Sequence, residues 1–251
     1  MKQSRILICN DDGINAEGIH VLERAALRLS EDVWVVAPAA EQSGRAHSFT
    51  AKGALVFNKI DNHHFTVNGT PTDCMLFACN VLFREHKPDL IFSGINHGSN
   101  LGFDVIYSGT TGAAIEGTLQ GIKSFAFSLY GAKNGSAYWP AVEEMLPKIV
   151  EKTVGIEWPR RTFLNVNFPQ RSALEIAGIR LTSLSSRKIG DDLHVIEQTD
   201  QSTTFQIGYL RRGKIEQESD TYAVQNGFIS VTPVSIEMTD QPFLSSNPFV
   251  F

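Results

Sequence analysis

Two adjacent acids, Asp11 and Asp12, follow the apolar run Ile6-Leu7-Ile8-Cys9 and precede Gly13. Side by side, two carboxylates repel one another, and a sequence needing only a turn could use Asn-Gly. The pair calls for something positive between its members. Two more polar stretches follow apolar runs. One is Pro38-Ala39-Ala40-Glu41-Gln42-Ser43-Gly44-Arg45-Ala46-His47-Ser48, and the other is Ser93-Gly94-Ile95-Asn96-His97-Gly98-Ser99-Asn100-Leu101-Gly102. If the three meet, they bring together two carboxylates, a hydroxyl and a carboxamide. With no thiolate and no obligatory imidazole, such hard oxygen donors suit Mg²⁺ or Mn²⁺ better than zinc. An Asp-Asp pair alone after a strand is more often a turn or a helix cap than a metal site. The two further loops tip the reading toward a cation.

The segment Tyr107-Ser108-Gly109-Thr110-Thr111-Gly112-Ala113-Ala114 supplies the complementary chemistry. Small and hydroxyl residues lead into a helix whose first N–H groups have no internal partner. Those groups, the hydroxyls and the helix dipole make a cradle for an anion. A well-capped helix with a flexible lead-in is the plainer alternative. Gly112 and Gly117 each cost about 1 kcal/mol relative to Ala inside a helix, which close approach to a ligand or a neighbouring backbone would explain. A cation beside an anion cradle implies phosphate chemistry. A phosphate monoester is dianionic and would be repelled by Asp11 and Asp12 unless a cation offset them, polarised the phosphoryl oxygen and oriented attack. The chain has no GxxxxGK[ST] and no GxGxxG after a strand, which counts against a P-loop and a dinucleotide site. No GxSxG elbow supports a serine hydrolase. Arg45 and His47 read as surface contacts or as groups reaching the phosphate or leaving group. Asn68 reads as a turn residue, His63-His64 as an exposed hairpin pair, and Cys9 as core.

The elements that must position these residues follow from hydrophobic patterning. Residues 5–9 and 32–37 read as buried strands of a parallel sheet, separated by a helix with Ile19, Leu22, Ala26 and Leu29 on its inner face. Alternating stretches within 54–67 flank Asp61-Asn62 as a β-hairpin. Thr70 and Pro71 open a helix as N-cap and first residue, with Asp73 at its positive end and Phe77, Ala78, Val81 and Leu82 as its buried stripe. Strands at 89–93 and 124–129 bracket a helix over 110–120. A helix over 137–152 buries Val142, Leu146 and Ile149, and Pro147 should kink or divide it. Beyond residue 163 the pattern turns to strands: 163–168, 179–184, hairpin arms 203–211 and 214–219 around Arg212-Gly213, and 228–233. In a parallel sheet the three polar loops share the strands' carboxyl edge, where such sheets bind ligands.

A chain of 251 residues is long enough for one domain with a large core. We read residues 1–155 as its α/β core and 156–251 as β-rich extensions and tail. The net charge of −5, with no Lys or Arg run, speaks against nucleic acid as a bulk polyanionic partner. The three cysteines, Cys9, Cys74 and Cys79, lack metal or CxxC spacing, as expected for buried thiols in a reducing compartment. The first apolar run is too short for a signal peptide or a membrane span, so a cytoplasmic location and no membrane partner are expected. Phe243, Phe249 and Phe251 in the tail should pack on a neighbouring subunit or on their own domain.

These residues resemble the SurE (survival protein E) nucleotidases. The likeness is carried by ILICNDDGINAEGI, VVAPAAEQSG, VNGTPTDC, PDLIFSGINHGSNLGFDVIYSGTTGAAIEG and DTYAVQNGFISVTP, and it thins between residues 132 and 216. The resemblance implies a Rossmann-like, mostly parallel α/β sheet flanked by helices, with β-hairpin extensions and a C-terminal segment used in homodimer or homotetramer exchange. It implies a metal-dependent 5′/3′-nucleotidase, with activity on short polyphosphate in some members, holding one Mg²⁺ or Mn²⁺ per subunit. Asp11, Asp12, Ser43 and Asn96 correspond to the family's metal ligands. Ser108, Gly109 and Thr110, with Asn96 adjacent, correspond to its phosphate-binding residues. Asp11 and Asp12 are the candidate catalytic residues, one of them as base for an attacking water or as nucleophile forming an aspartyl-phosphate. Arg45-Ala46-His47 departs from the glycine-richer family pattern. A non-catalytic nucleotide or phosphate sensor would use the same cradle. A cofactor-dependent oxidoreductase is disfavoured by the missing glycine fingerprint.

Overall fold

A computed structural model describes residues 1–131, 137–187, 192–208 and 213–246. Strand β1 (Ile6–Cys9) is fully buried, as its unbroken apolar run requires. Its side chains alternate between two cores. Ile6 and Ile8 enter a cluster with helices α1 (Glu17–Leu27) and α4 (Trp139–Val154). Leu7 and Cys9 enter a second cluster with Cys74 and Met75 of α2 (Pro71–Phe77) and Ala113 of α3 (Gly109–Leu119). The sheet is therefore sandwiched between helical layers, the environment that makes a strand apolar on both faces.

Eight more strands complete this sheet among the described residues: β2 (Val33–Pro38), β3 (Phe57–Lys59), β4 (His64–Val67), β5 (Leu90–His97), β6 (Lys123–Leu129), β7 (Thr162–Phe168), β8 (Gly178–Leu181) and β11 (Phe228–Ser235), in the order β3-β4-β2-β1-β5-β6-β7-β11-β8. β1 pairs in parallel with both β2 and β5, with Ile8 opposite Val35 on one side and Phe92 on the other. The chain winds outward from β1 in one direction through β2 and β4, and in the other through β5, β6 and β7. The reversal lies between β1 and β5. A crevice opens there at the carboxyl edge, because the following loops diverge to opposite faces. The antiparallel pairs are β3 with β4 and β7 with β11. This architecture agrees with the expected α/β fold.

Several local expectations hold for visible reasons. Thr70 and Asp73 form a reciprocal capping box, with Pro71 at the start of α2. The hairpin around Asp61-Asn62 is present. His63 is exposed, whereas His64 is half-buried between Glu23, at 2.8 Å, and Asp61. A methyl group at Gly112 would lie 2.4 Å from the Ala46 carbonyl oxygen, and one at Gly117 would lie 2.5 Å from Ser124 Oγ. Both helical glycines thus serve close packing.

Other expectations are corrected. Of the kink or division expected at Pro147, the division does not occur, since helix α4 runs on through it. Val81 is exposed, because after Phe77 the helix widens into a π turn over Ala78–Leu82 that rotates it away from the core. The arm expected over 203–211 pairs backward: β10 (Thr203–Ile207) joins β9 (Leu193–Gln198) in a separate two-stranded ribbon. Residues 214–219 form no strand before the short helix α5 (Asp220–Gln225). Positions 209–212 of that expectation, and Phe249 and Phe251, lie outside the described residues. Phe243 sits in a short helix, α6 (Gln241–Ser245), and is exposed.

Candidate active site

The loop after β1 is shaped by Asn10, whose buried carboxamide accepts from the Gly13 N–H and donates to the Gly13 carbonyl. This Asx-type closure leaves Asp11 and Asp12 at the crevice floor. The second loop is tied to it where the Gln42 N–H donates to the Asp11 carbonyl at 2.7 Å. The third polar stretch begins on strand rather than loop, since β5 runs on to His97. Asn96 and His97 therefore sit on the adjacent parallel strand, and the His97 N–H donates to Asp12 Oδ2 at 3.1 Å. A cavity of about 620 Å³ opens between these segments, lined by Asp11, Asp12, Ser43, Asn96 and Ser108 among others. Five of the seven site residues expected from sequence thus share one cavity wall.

Gly109 and Thr110 stand immediately behind that wall. Thr110 donates its hydroxyl to Asp11 Oδ1 at 2.6 Å. A Cβ on Gly109 would meet the Asp11 Cβ at 2.8 Å, so only glycine lets the start of α3 approach the carboxylate this closely. Ser108 is the N-cap of α3 and accepts from the Thr111 N–H. The Thr111 hydroxyl is engaged by the Val105 carbonyl and faces away from the cavity wall.

The electrostatics answer the question posed by the doublet. Burial, and then the neighbouring charge of Asp12, push the Asp11 carboxyl up to about 6, against the lowering effect of the Thr110 hydrogen bond. Burial also raises Asp12, with the Glu41 charge adding to it and His97 opposing. The imidazole Nδ1 of His97 stands 3.7 Å from Asp12 Oδ2, and its ring rests against Trp139. Among the described residues no group of three His, Cys, Asp or Glu side chains forms a metal cluster. The available donors are two carboxylates, the Ser43 hydroxyl and the Asn96 carboxamide. Asn96 donates its Nδ2 to the Gly98 carbonyl at 2.9 Å, which leaves its oxygen as the atom free to accept. Ser43 Oγ donates to Glu41 at 2.9 Å, at the exposed rim.

Some supporting residues were not foreseen. Asn165 and Asn167 of β7 both donate to the Asn100 carbonyl, and Asn167 also accepts the Asn100 N–H. Asp220 accepts the Gly102 N–H at 2.7 Å and the Ser185 N–H at 3.0 Å. Arg187 pairs with Asp104 at 2.8 Å in a buried bridge. The signal was present for the asparagines, as polar side chains at alternate positions of the otherwise apolar run FLNVNF. Nothing in the local pattern marked Arg187. His97, Tyr107 and Glu41 also line the cavity, and no role had been assigned to them.

The Survival protein SurE family matches this chain over residues 6–191. The 5′-nucleotidase SurE of Paramagnetospirillum magneticum is 44% identical over 94% of this chain and 91% of its own length. The protein of the same name from Chelativorans sp. is also 44% identical, covering 94% of each chain. The crystal structure of the SurE protein from Aquifex aeolicus superposes with a TM-score of 0.86 at 37% identity, over 96% of this chain and 97% of that one. With the fold, the loop order and the sequence in agreement across nearly its whole length, the chain belongs to the SurE family.

Proposed function

We propose that the protein is a metal-dependent phosphatase that hydrolyses nucleoside 5′- and 3′-monophosphates to nucleoside and phosphate, with short polyphosphate as a further substrate. The observation that carries this reading is the Asp11-Asp12 pair, with Asp11 buried directly against the start of α3, on the wall of a cavity of about 620 Å³ that Ser108 also lines. The relatives' name, 5′-nucleotidase, supports the nucleotide as substrate. Two desolvated carboxylates, a hydroxyl and a carboxamide oxygen fit one Mg²⁺ or Mn²⁺ per subunit, held by Asp11, Asp12, Ser43 and Asn96. Such an ion, when bound, supplies positive charge that draws the dianionic ester in and polarises its phosphoryl oxygen.

The chain's own groups do the rest. Thr110 fixes the Asp11 carboxylate by donating its hydroxyl to Oδ1. Ser108, at the cavity wall, and the Gly109 N–H beside it receive the phosphoryl oxygens as negative charge redistributes over them, while Thr110 serves the phosphate site by holding Asp11. Asp12, steadied by the His97 N–H, is the second carboxylate beside the reacting centre, and one of the pair accepts the proton of the attacking water. Assembly as a homodimer or homotetramer is part of the same reading, supported by the projecting β9–β10 ribbon. Its Leu193, Val195, Ile196, Phe205 and Ile207 are all more than half exposed. A cytoplasmic location is proposed with it; among the described residues no helix is long and apolar enough to cross a membrane.

The test is phosphate release from 5′-AMP and 3′-AMP with and without EDTA. Chelation should abolish turnover, and added Mn²⁺ or Mg²⁺ should restore it. Full activity in chelator would overturn the metal. Tight stoichiometric binding of nucleotide without turnover would instead identify a sensor.

A further inference from the structure

Residues 43–47 run across the outer face of α3, and three contacts hold them there. The Ala46 N–H donates to the Tyr107 carbonyl at 3.1 Å. The Ala46 carbonyl lies against Gly112, where any side chain would intrude. One residue on, His47 Nε2 meets Glu116 Oε2 at 3.0 Å. Gly112 and Glu116 are four residues apart and so stack on one helical face, which the loop follows step for step. Glu116 is itself buried and held ready, because Gln120 donates to its other oxygen at 3.0 Å. His47 does not line the cavity. Its ring is turned onto the helix, away from any substrate.

We propose that His47 and Glu116 form a latch that positions the Ser43 loop over the active site, making both positioning residues for the site. The loop has a second attachment at Gln42, bonded to the Asp11 carbonyl. Between the two, Ser43 and Gly44 bound the cavity while the Arg45 side chain stands exposed and the Arg45 carbonyl accepts the Ser48 N–H at 3.2 Å. Opening the latch leaves this end of the span held only by the Ala46–Tyr107 hydrogen bond and by Thr70 on the Ser48 carbonyl, and so loosens Ser43 relative to the carboxylates. The other donors stay in place, because Asp11 and Asp12 are fixed by α3 and β5. The latch therefore governs how completely the donor set is assembled, through a histidine that never touches substrate. The consequence for metal rests on the function proposed above; the latch itself does not.

Trypsin cleaves after arginine, and the test is direct because Arg45 is exposed while Ala46, on the other side of that bond, is held against α3 and must come away before cleavage. Native-state cleavage there should accelerate about tenfold in His47→Ala, the factor expected for losing one hydrogen bond to a charged partner. It should return toward wild type in His47→Gln, whose amide can still donate to Glu116. His47→Ala/Glu116→Ala should cleave no faster than either single variant. The thermal midpoint, measured in parallel, reports any general loss of stability. Mn²⁺ affinity, titrated without nucleotide, should weaken several-fold in His47→Ala and recover in His47→Gln. Unchanged cleavage at Arg45 in His47→Ala would overturn the latch. Accelerated cleavage in a protein whose wild type binds no Mn²⁺ would leave the latch standing and remove the metal.

Discussion

Asp11 combines the two demands on this site, being almost fully buried and next to another acid. Its carboxyl, held at about 6 rather than its ordinary value of 3.8, makes the folded protein bind a proton that the unfolded chain releases. Stability therefore falls as pH rises from about 4 to about 6, and the deficit is fully present above that range. The shift corresponds to an order of 3 kcal/mol. Asp11→Asn removes this charge while keeping an oxygen for Thr110. We expect it to be more stable than wild type by about 1–3 kcal/mol at pH 7.5 without metal, with no difference near pH 3.5. Phosphate release should fall by about 100-fold or more. Urea denaturation at the two pH values, beside an activity assay, checks both. Equal stability at pH 7.5 would mean that the carboxylate is already neutralised by the protein itself.

At the scale of elements, α3 organises the site along one face: Gly109 against Asp11, Gly112 against Ala46, Glu116 against His47. Gly112→Ala gains about 1 kcal/mol of helix propensity but drives a methyl group into the Ala46 carbonyl, a backbone atom that cannot swing aside. We expect net destabilisation of about 1–3 kcal/mol, measurable as a lowered thermal midpoint. An unchanged or raised midpoint would show that the loop yields freely. The helix, its N-terminus and its costly glycines were legible in the sequence, because GTTGAAIEG carries cap, dipole and small residues together. The first two βα units were equally legible, since buried parallel strands announce themselves as apolar runs. The β9–β10 pairing was not. Its strands are exposed on both faces, so no burial pattern fixes which neighbour pairs with which. Asn167 stood out as a polar position in an apolar strand, but its partner, like those of Arg187 and Asp220, was hidden for another reason, these being contacts between residues 67, 83 and 118 positions apart.

On the scale of the whole molecule, the ribbon is the feature that a monomer leaves unexplained. Val195 faces Phe205 and Leu193 faces Ile207 across the two strands, giving an apolar ladder in solvent. A two-stranded ribbon standing alone is marginal in water. Under the proposed assembly, Val195→Glu/Phe205→Glu should lower the mass seen by light scattering while leaving the sheet's far-UV signal intact. A variant of unchanged mass would take the ribbon out of assembly.

The hold of Asp220 on Gly102 bears on how the protein comes into being. The crevice lies between β1 and β5, yet the loop that walls it is fastened by β7 and by a helix more than a hundred residues downstream. During synthesis, a half-emerged chain already carries both aspartates but has neither the strand that covers β6 nor the clasp for its third loop. The acidic pair can meet His97 and Thr110 once β5 and α3 have emerged, but the loop that walls the crevice gains its clasp only with Asp220, so that wall is the last part of the site to be fixed.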